Sequence, residues 1–249
     1  MFQFDKNFGL FVGDLTTNEF HKHYALQISV SKESSMNLTL KNETEKSGDS
    51  FFISSRIEHK LLSPKTQLTI LINPLSSLGH QLYINYGKLK VSTLETGFKN
   101  KLVGILSKFN TSEINFKELC ALVTDVLNEY QCSCKIENHS KDDRIIKALE
   151  FFDGNFEKVY SLEEVAEICC LSPSRFLHLF KEKTGLNFRR YQLWNKMIKS
   201  LPYLSVNSIT DTAHMFGFTD SSHYTRTFKE TFGLTPKFMV QKNSQFIQV

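Results

Sequence analysis

Phe180-Lys181-Glu182-Lys183-Thr184-Gly185-Leu186 returns 48 residues later as Phe228-Lys229-Glu230-Thr231-Phe232-Gly233-Leu234. Upstream, Ser161-Leu162, Ala166 and Leu171-Ser172 return 47 residues later as Ser208-Ile209, Ala213 and Phe218-Thr219. A unit repeated at this period is two copies of one supersecondary element. Each copy reads as helix, tight turn, helix. The chain therefore ends in two helix-turn-helix units, an arrangement that points to DNA binding.

The local signals agree within each copy. In the first, Ser161 with Glu164 makes a capping box, and Leu162, Val165, Ala166 and Ile168 supply a buried side. Cys169-Cys170-Leu171 makes the turn. Ser172 caps the next helix with Pro173 at its first position, and Gly185 ends it. Phe176, Leu179 and Phe180 point inward, leaving Ser174, Leu177, His178 and Lys181 outward. In the second copy Ile209, Thr212, Ala213 and Phe216 form the supporting helix. Gly217 takes the turn and Asp220 caps the reading helix, with one more residue in the turn than before. Tyr224, Phe228 and Phe232 face the core, and Gly233 stops the helix.

Asn187 to Leu204 joins the units, with Phe188, Tyr191, Trp194, Ile198 and Leu201 at helical spacing. Trp194 on that stripe reads as core rather than as a base-stacking platform. Pro202 should kink or end the joining helix. DNA presents the same groove about every 34 Å, so two rigidly spaced units suit successive major grooves.

Candidate DNA-binding residues are Ser174, Arg175, His178 and Lys181 on the first reading helix. On the second they are Ser221, Ser222, His223, Thr225, Arg226 and Lys229. Arg226 is the sharpest, because an arginine bonds guanine O6 and N7 together. Ser174, Arg175 and Lys181 suit the phosphate backbone, and Arg189, Arg190 and Lys196 suit solvation of the joining helix.

Charge supports the assignment. The net charge of the 249 residues is +4, yet from Ser172 onward 11 basic residues face four acidic ones, which leaves the preceding part net acidic. A basic C-terminal surface suits a polyanion. No apolar run reaches the roughly 18 residues of a membrane span. The start of the chain carries no secretion pattern, and five cysteines fit reduced thiols, so a cytoplasmic, nucleoid-associated protein with no membrane partner is expected.

Residues up to about 110 read as strand-rich. His21–Val30, Met36–Leu40, Phe51–Ile53 and Leu68–Ile72 are of strand length, bounded by Ser47-Gly48-Asp49-Ser50, Ser63-Pro64 and Asn73-Pro74. Thr111-Ser112-Glu113 reads as a helix start, with Ile114, Leu119, Val123, Val126, Leu127 and Tyr130 following. Gln131 to Lys141 reads as a linker. Asp142 opens a further helix with Ile145, Ile146, Leu149 and Phe152 on one face. The expected fold is α+β. A small N-terminal β-barrel covers 1–110, a helix and linker cover 111–141, and an all-α DNA-binding domain covers 142–249.

The segment from about Asp142 to Val240 resembles the AraC/XylS family of transcription regulators. The resemblance rests on Ser161 to Ala166, Leu171-Ser172-Pro173-Ser174-Arg175-Phe176, Leu179-Phe180-Lys181 to Gly185-Leu186, and Gly217-Phe218-Thr219-Asp220-Ser221-Ser222-His223-Tyr224 through Gly233-Leu234-Thr235-Pro236. It implies that the second helix of each unit enters the major groove, with promoter DNA and RNA polymerase as partners. Three departures stand out. Cys170 occupies a turn position where the family often has glycine. Leu177 and His178 replace more polar or basic groups. Pro202 affects the spacing.

Glu19 to Gln27 with Ile57-Glu58-His59 resembles the cupin-like barrel that precedes many such domains. That resemblance implies a pocket at His21, His23, Gln27 and His59 for a small-molecule effector, or a homodimerisation scaffold, the latter through the helix at Ile114–Tyr130. Metal cupins use a His-x-His pair, a Glu and a later His. Gln27 stands where Glu is expected, and a neutral amide is a poor ligand for a divalent cation. The expectation is accordingly no cofactor, with a divalent metal at His21, His23 and His59 as the lesser alternative. Cys132, Cys134 and His139 are a weak zinc pattern. Three functions stay open: a ligand-responsive regulator, a metal-dependent cupin enzyme with an accessory DNA-binding tail, and a regulator with a ligand-free N-terminal scaffold. The non-enzymatic reading is preferred; phosphate-loop and nucleophile-elbow motifs, which neither the regulator nor the cupin enzyme is expected to use, are absent.

Overall fold

The computed structural model describes residues 2–4, 7–33, 36–130, 142–155 and 159–238. The N-terminal part holds β1 Phe2–Phe4, β2 Phe8–Leu15, β3 Leu26–Ser31, β4 Met36–Leu40, β5 Lys46–Gly48, β6 Ser50–Ile53 and β7 His59–Ile72. Helix α1 (Ser77–Tyr86), strand β8 (Val91–Ser92) and helices α2 (Thr96–Asn110) and α3 (Phe116–Asn128) complete it. All strand pairings are antiparallel. The order is β1-β2-β7-β3-β6-β8, with β4 pairing β5 and β7.

The 14-residue β7 organises the sheet. Its first residues pair with β4, and Leu68 to Ile72 lie between β2 and β3. Alternation along β3 and β7 then assigns the faces. Leu26, Ile28, Val30, Leu68, Ile70 and Ile72 pack against Phe98, Leu102 and Leu106 of α2 and Leu119, Val123 and Leu127 of α3. The opposite face carries Gln27, Ser29, Gln67 and Thr69, which are buried although polar. Leu71, on that same face, joins the core of the C-terminal domain.

Three details differ from the sequence reading. Residues 77–86 and 96–110, within the stretch read as strand-rich, are helices. Leu78 with Leu82, and Phe98, Leu102, Ile105 with Leu106, are buried at helical spacing, and Ser76 and Glu95 cap the two helices. The helix expected to open at Thr111-Ser112-Glu113 opens instead at Asn115, whose capping box with Glu118 outcompetes that start. Thr111 and Ser112 close α2, with Ser112 in the left-handed region at φ 60°. Strand β3 begins at Leu26, so His21 and His23 precede it in a loop that meets β7 through a single bridge, His21 to His59.

The C-terminal part is helical: α4 Asp143–Gly154, α5 Leu162–Ile168, α6 Pro173–Thr184, α7 Phe188–Ser200, a 3-10 turn at Pro202–Ser205, α8 Ile209–Met215 and α9 Ser221–Phe232. Its caps are those the sequence suggests: the Ser161–Glu164 capping box, Ser172 before Pro173, Asp220, and left-handed Gly185 and Gly233. Pro202 ends α7 rather than kinking it. The whole is an α+β fold. The expected linker at 131–141, with Cys132, Cys134 and His139, lies outside the described residues.

Candidate nucleic-acid interface and the cavity behind it

The second helices of the two units, from which DNA reading is expected, are α6 and α9, each of 12 residues, or about 18 Å. Ser174, Arg175, His178 and Lys181 are exposed on α6, and Ser222, His223 and Arg226 are exposed on α9. Ser221, Thr225 and Lys229 are half-buried. Leu177 is half-buried against the domain core, which removes it from the outer face to which the sequence assigned it. The backbone N–H of His223 donates to the Asp220 carboxylate at 2.7 Å, and that bond holds the Asp220 carboxyl below its usual range.

The two turns have the same geometry from different residues. Cys170 stands at φ 54° and Gly217 at φ 68°. A cysteine in the left-handed region carries a strain of about 1–2 kcal/mol that the glycine avoids.

Helix α7 couples the units. Ser200 Oγ and the Tyr224 hydroxyl share a buried 2.7 Å hydrogen bond. Lys196 Nζ donates to the Gly217 carbonyl at 3.2 Å and lies over the Phe218 ring. Sequence reading gave Lys196 only a solvating role; instead it braces the second turn. Trp194 is buried, as expected for core, but its neighbours were not foreseen. Its ring centre is 5.9 Å from both His23 and Phe232, so it stands where the two parts of the chain meet.

That junction is built by residues 18–25. Glu19 N–H donates to Gly233 O at 3.0 Å and Lys22 N–H to Glu230 O at 3.1 Å. Lys229 Nζ pairs with Glu19 at 2.8 Å, and Tyr24 packs on Tyr191 with ring centres 5.2 Å apart. The C-terminal end of α9 is thus clamped to the sheet domain. No local sequence pattern announces these contacts, because they join residues about 200 positions apart.

Behind the clamp lies a cavity of about 70 Å³, lined by His21, His23, Gln27, Gln67, Thr69 and Asn18 with apolar walls that include Phe11, Leu71, Phe232 and Leu234. A wider cleft of about 370 Å³, bordered by Lys60, Lys229 and Glu19, shares Asn18 and Leu234 with it. Both amide atoms of fully buried Gln67 and the Oδ1 of Asn18 have no protein partner. Buried polar groups left unpaired cost about 1–3 kcal/mol each, so these atoms call for a hydrogen-bond partner from outside the chain, a water or a ligand.

Of the expected pocket residues, His21, His23 and Gln27 line this cavity, whereas His59 does not and stands against them through Gln27 and its bridge to His21. The His23 and His59 Nε2 atoms lie 2.8 and 3.2 Å from Gln27 Oε1. One nitrogen from each of the three imidazoles lies within 4.8 Å of the others. Burial drives all three rings toward the neutral form. His21 is lowered to about 3 by burial and by His23, His59 falls well below its usual value by burial and its two histidine neighbours, and His23 is lowered by burial.

Two helix-turn-helix units in series, each with an exposed polar and basic reading helix, define a tandem DNA-binding domain. Residues 165–242 match the family described as Helix-turn-helix domain. The transcriptional activator RhaS of Yersinia pestis is 32% identical over 100 residues, covering 39% of this chain and 36% of RhaS. The regulatory protein PocR of Salmonella typhimurium is 31% identical over 98 residues, covering 39% and 32%. The chain thus spans about a third of the length of the curated relatives it matches. The crystal structure of ToxT from Vibrio cholerae O395 matches the whole architecture, with a TM-score of 0.56 at 14% identity over 97% of this chain and 100% of ToxT. A ToxT structure with a bound unsaturated fatty acid matches with a TM-score of 0.55 at 14% identity over 99% of both chains. Residues 165–242 thus carry a helix-turn-helix domain similar to that of these transcription regulators, as the resemblance in the sequence suggested. Among the described residues no helix is long and apolar enough to cross a membrane.

Proposed function

We propose that this protein is a sequence-specific DNA-binding transcription regulator whose N-terminal domain governs the second reading helix in response to a small molecule. The observation that carries this reading is the clamp. The unpaired polar atoms of the cavity and the C-terminal end of α9 share one wall, so a guest in the cavity has a direct mechanical path to the DNA-reading surface. RhaS and PocR, both regulators by name, support the first half of the reading. ToxT, described with a fatty acid bound, supports the second only in that a protein of this architecture takes a small molecule.

In this reading promoter DNA is the primary partner, contacted by α6 and α9 in successive major grooves. RNA polymerase is the second partner, and α3 offers a face for pairing two chains. Basic side chains on phosphates make the affinity fall steeply with salt.

The test is selection of duplexes from a random pool by the full-length chain, followed by salt titration on the winning site. Enrichment of a site long enough to span two neighbouring major-groove segments is expected. Uniform recovery of all sequences at low salt would overturn the reading.

A further inference from the structure

The three buried imidazoles are held in one tautomer. His21 Nδ1 lies 2.9 Å from the Glu19 carbonyl, His23 Nδ1 2.9 Å from the Ala25 carbonyl, and His59 Nδ1 2.8 Å from the Ile57 carbonyl. A carbonyl only accepts, so each Nδ1 carries the proton and donates it. In a neutral ring Nε2 is then a bare lone pair. The His23 and His59 lone pairs confront Gln27 Oε1, another acceptor, at 2.8 and 3.2 Å. Three acceptors facing one another in a buried space need something positive between them. The same donation of Nδ1–H to a backbone carbonyl is what orients a metal-binding histidine and raises its basicity. The ring centres stand 4.4, 5.3 and 5.7 Å apart. An ion about 2.0–2.1 Å from each nitrogen in tetrahedral geometry sets such centres about 5 Å apart.

We propose that His21, His23 and His59 form a binding site for a divalent transition-metal ion of the zinc class, ligated by the three Nε2 atoms with Gln27 Oε1 beside them. Three neutral imidazoles suit zinc and its neighbours rather than magnesium or calcium. Gln27 is kept in place by its amide N–H donating to Ser29 Oγ at 3.0 Å, and Ser29 Oγ meets Thr69 Oγ1 at 2.8 Å. Ion binding stands on this donor set alone. Its effect on DNA rests on the sensing role proposed above: His21 and Asn18 abut Gly233, so fixing His21 tightens the clamp that ties Lys229 to Glu19.

The competing solution is a turned Gln27 amide whose NH₂ donates to both imidazoles, which needs no ion. The two solutions respond oppositely to Gln27→Glu. A carboxylate beside the lone pairs attracts a cation, but it worsens the acceptor conflict when none is present.

The experiment is titration of the chelator-treated, full-length chain with Co²⁺ and Zn²⁺, in a Cys132→Ser/Cys134→Ser background so that those thiols supply no ligand. One ion per chain is expected, with the visible absorption of a low-coordinate Co²⁺ centre free of thiolate bands. Affinity should fall at least about tenfold in His23→Ala and His59→Ala and rise in Gln27→Glu. Absence of binding at micromolar ion overturns the site, as does binding unchanged by His59→Ala. If the alanine variants do not fold, a Gln27→Glu chain that binds no tighter than the parent overturns it equally. A loaded site that leaves the affinity for the selected duplex unchanged upholds the ion site and overturns the sensing role.

Discussion

His21 and Gly233 are in such close approach that a Cβ on Gly233 would lie 2.6 Å from His21 Nδ1, and 1.8 Å from Asn18 Oδ1. Gly233 also sits at φ 70°, so two separate demands exclude a side chain there. Gly185, its counterpart on α6, has φ 72° but nothing near its Cβ direction. The two alanine substitutions therefore separate cap strain from junction contact. Gly185→Ala should cost about 1 kcal/mol. Gly233→Ala adds overpacking of about 1–3 kcal/mol and pushes α9 from the sheet domain. The chain has one tryptophan, Trp194, which lies at that junction, so its emission should shift to the red in Gly233→Ala and stay put in Gly185→Ala. Equal spectra for the two variants would show that the contact does not hold the junction closed.

Lys229 is half-buried on a reading helix and bonded to Glu19, so in this arrangement its charge is spent within the protein. Glu19→Gln should release it to a DNA phosphate. Affinity for the selected duplex should rise, and the slope of log affinity against log salt should steepen by about one unit. A slope that does not move would mean that Lys229 points away from DNA even when free. Stability should barely change, because exposed pairs of this kind contribute little.

The turns of the two units make a matched pair. Cys170→Gly should remove about 1–2 kcal/mol of left-handed strain and return about 0.5–1 kcal/mol of glycine entropy, for a net gain of up to about 1.5 kcal/mol. Gly217→Ala should lose stability for the mirror reason, and its new Cβ would also press on Lys196 Nζ, 3.2 Å away. Thermal unfolding measures both, at roughly 2–4 °C per kcal/mol for a chain of this size. A lowered midpoint in Cys170→Gly would show that the exposed thiol makes a contact outweighing the backbone strain.

The helical domain was readable because its signals are local. Ser161 with Glu164, Ser172 before Pro173, and Gly185 and Gly233 each act within one turn of helix, so the sequence carries them whole. The sheet domain was read less well. Residues 77–86 and 96–110 fell within the stretch read as strand-rich, yet the buried spacing of Leu78 with Leu82 and of Phe98 with Leu102 is helical. His21, His23, Gln27 and His59 were grouped through the cupin-like resemblance, with His21 and His23 read as part of a strand that in fact starts at Leu26. The bridge from His21 to His59 brings them together, and a bridge across 38 positions leaves no periodic trace. Gln67 and Asn18 were missed altogether. An amide advertises nothing in a sequence, and only burial without a partner makes it significant.

Arg226 tests how the second unit reads DNA. It is exposed on α9, one turn beyond Ser222 and on the same face as Lys229 and His223. His223 is less free: its ring packs edge-on against Phe218 at 5.4 Å, which limits its reach. On the function proposed above Arg226 is the direct reader of this unit, and Arg226→Ala should then cost about 1–3 kcal/mol on the selected duplex. The loss should concentrate at one base pair, so that substituting that pair no longer matters to the variant. Lys181→Ala, on the exposed face of α6, should instead weaken binding evenly across sequences and reduce the salt slope by about one unit. Competition binding against every single-base variant of the site measures both patterns. An even loss in Arg226→Ala would reassign it to the phosphate backbone and shift sequence reading in this unit to Ser222 and His223.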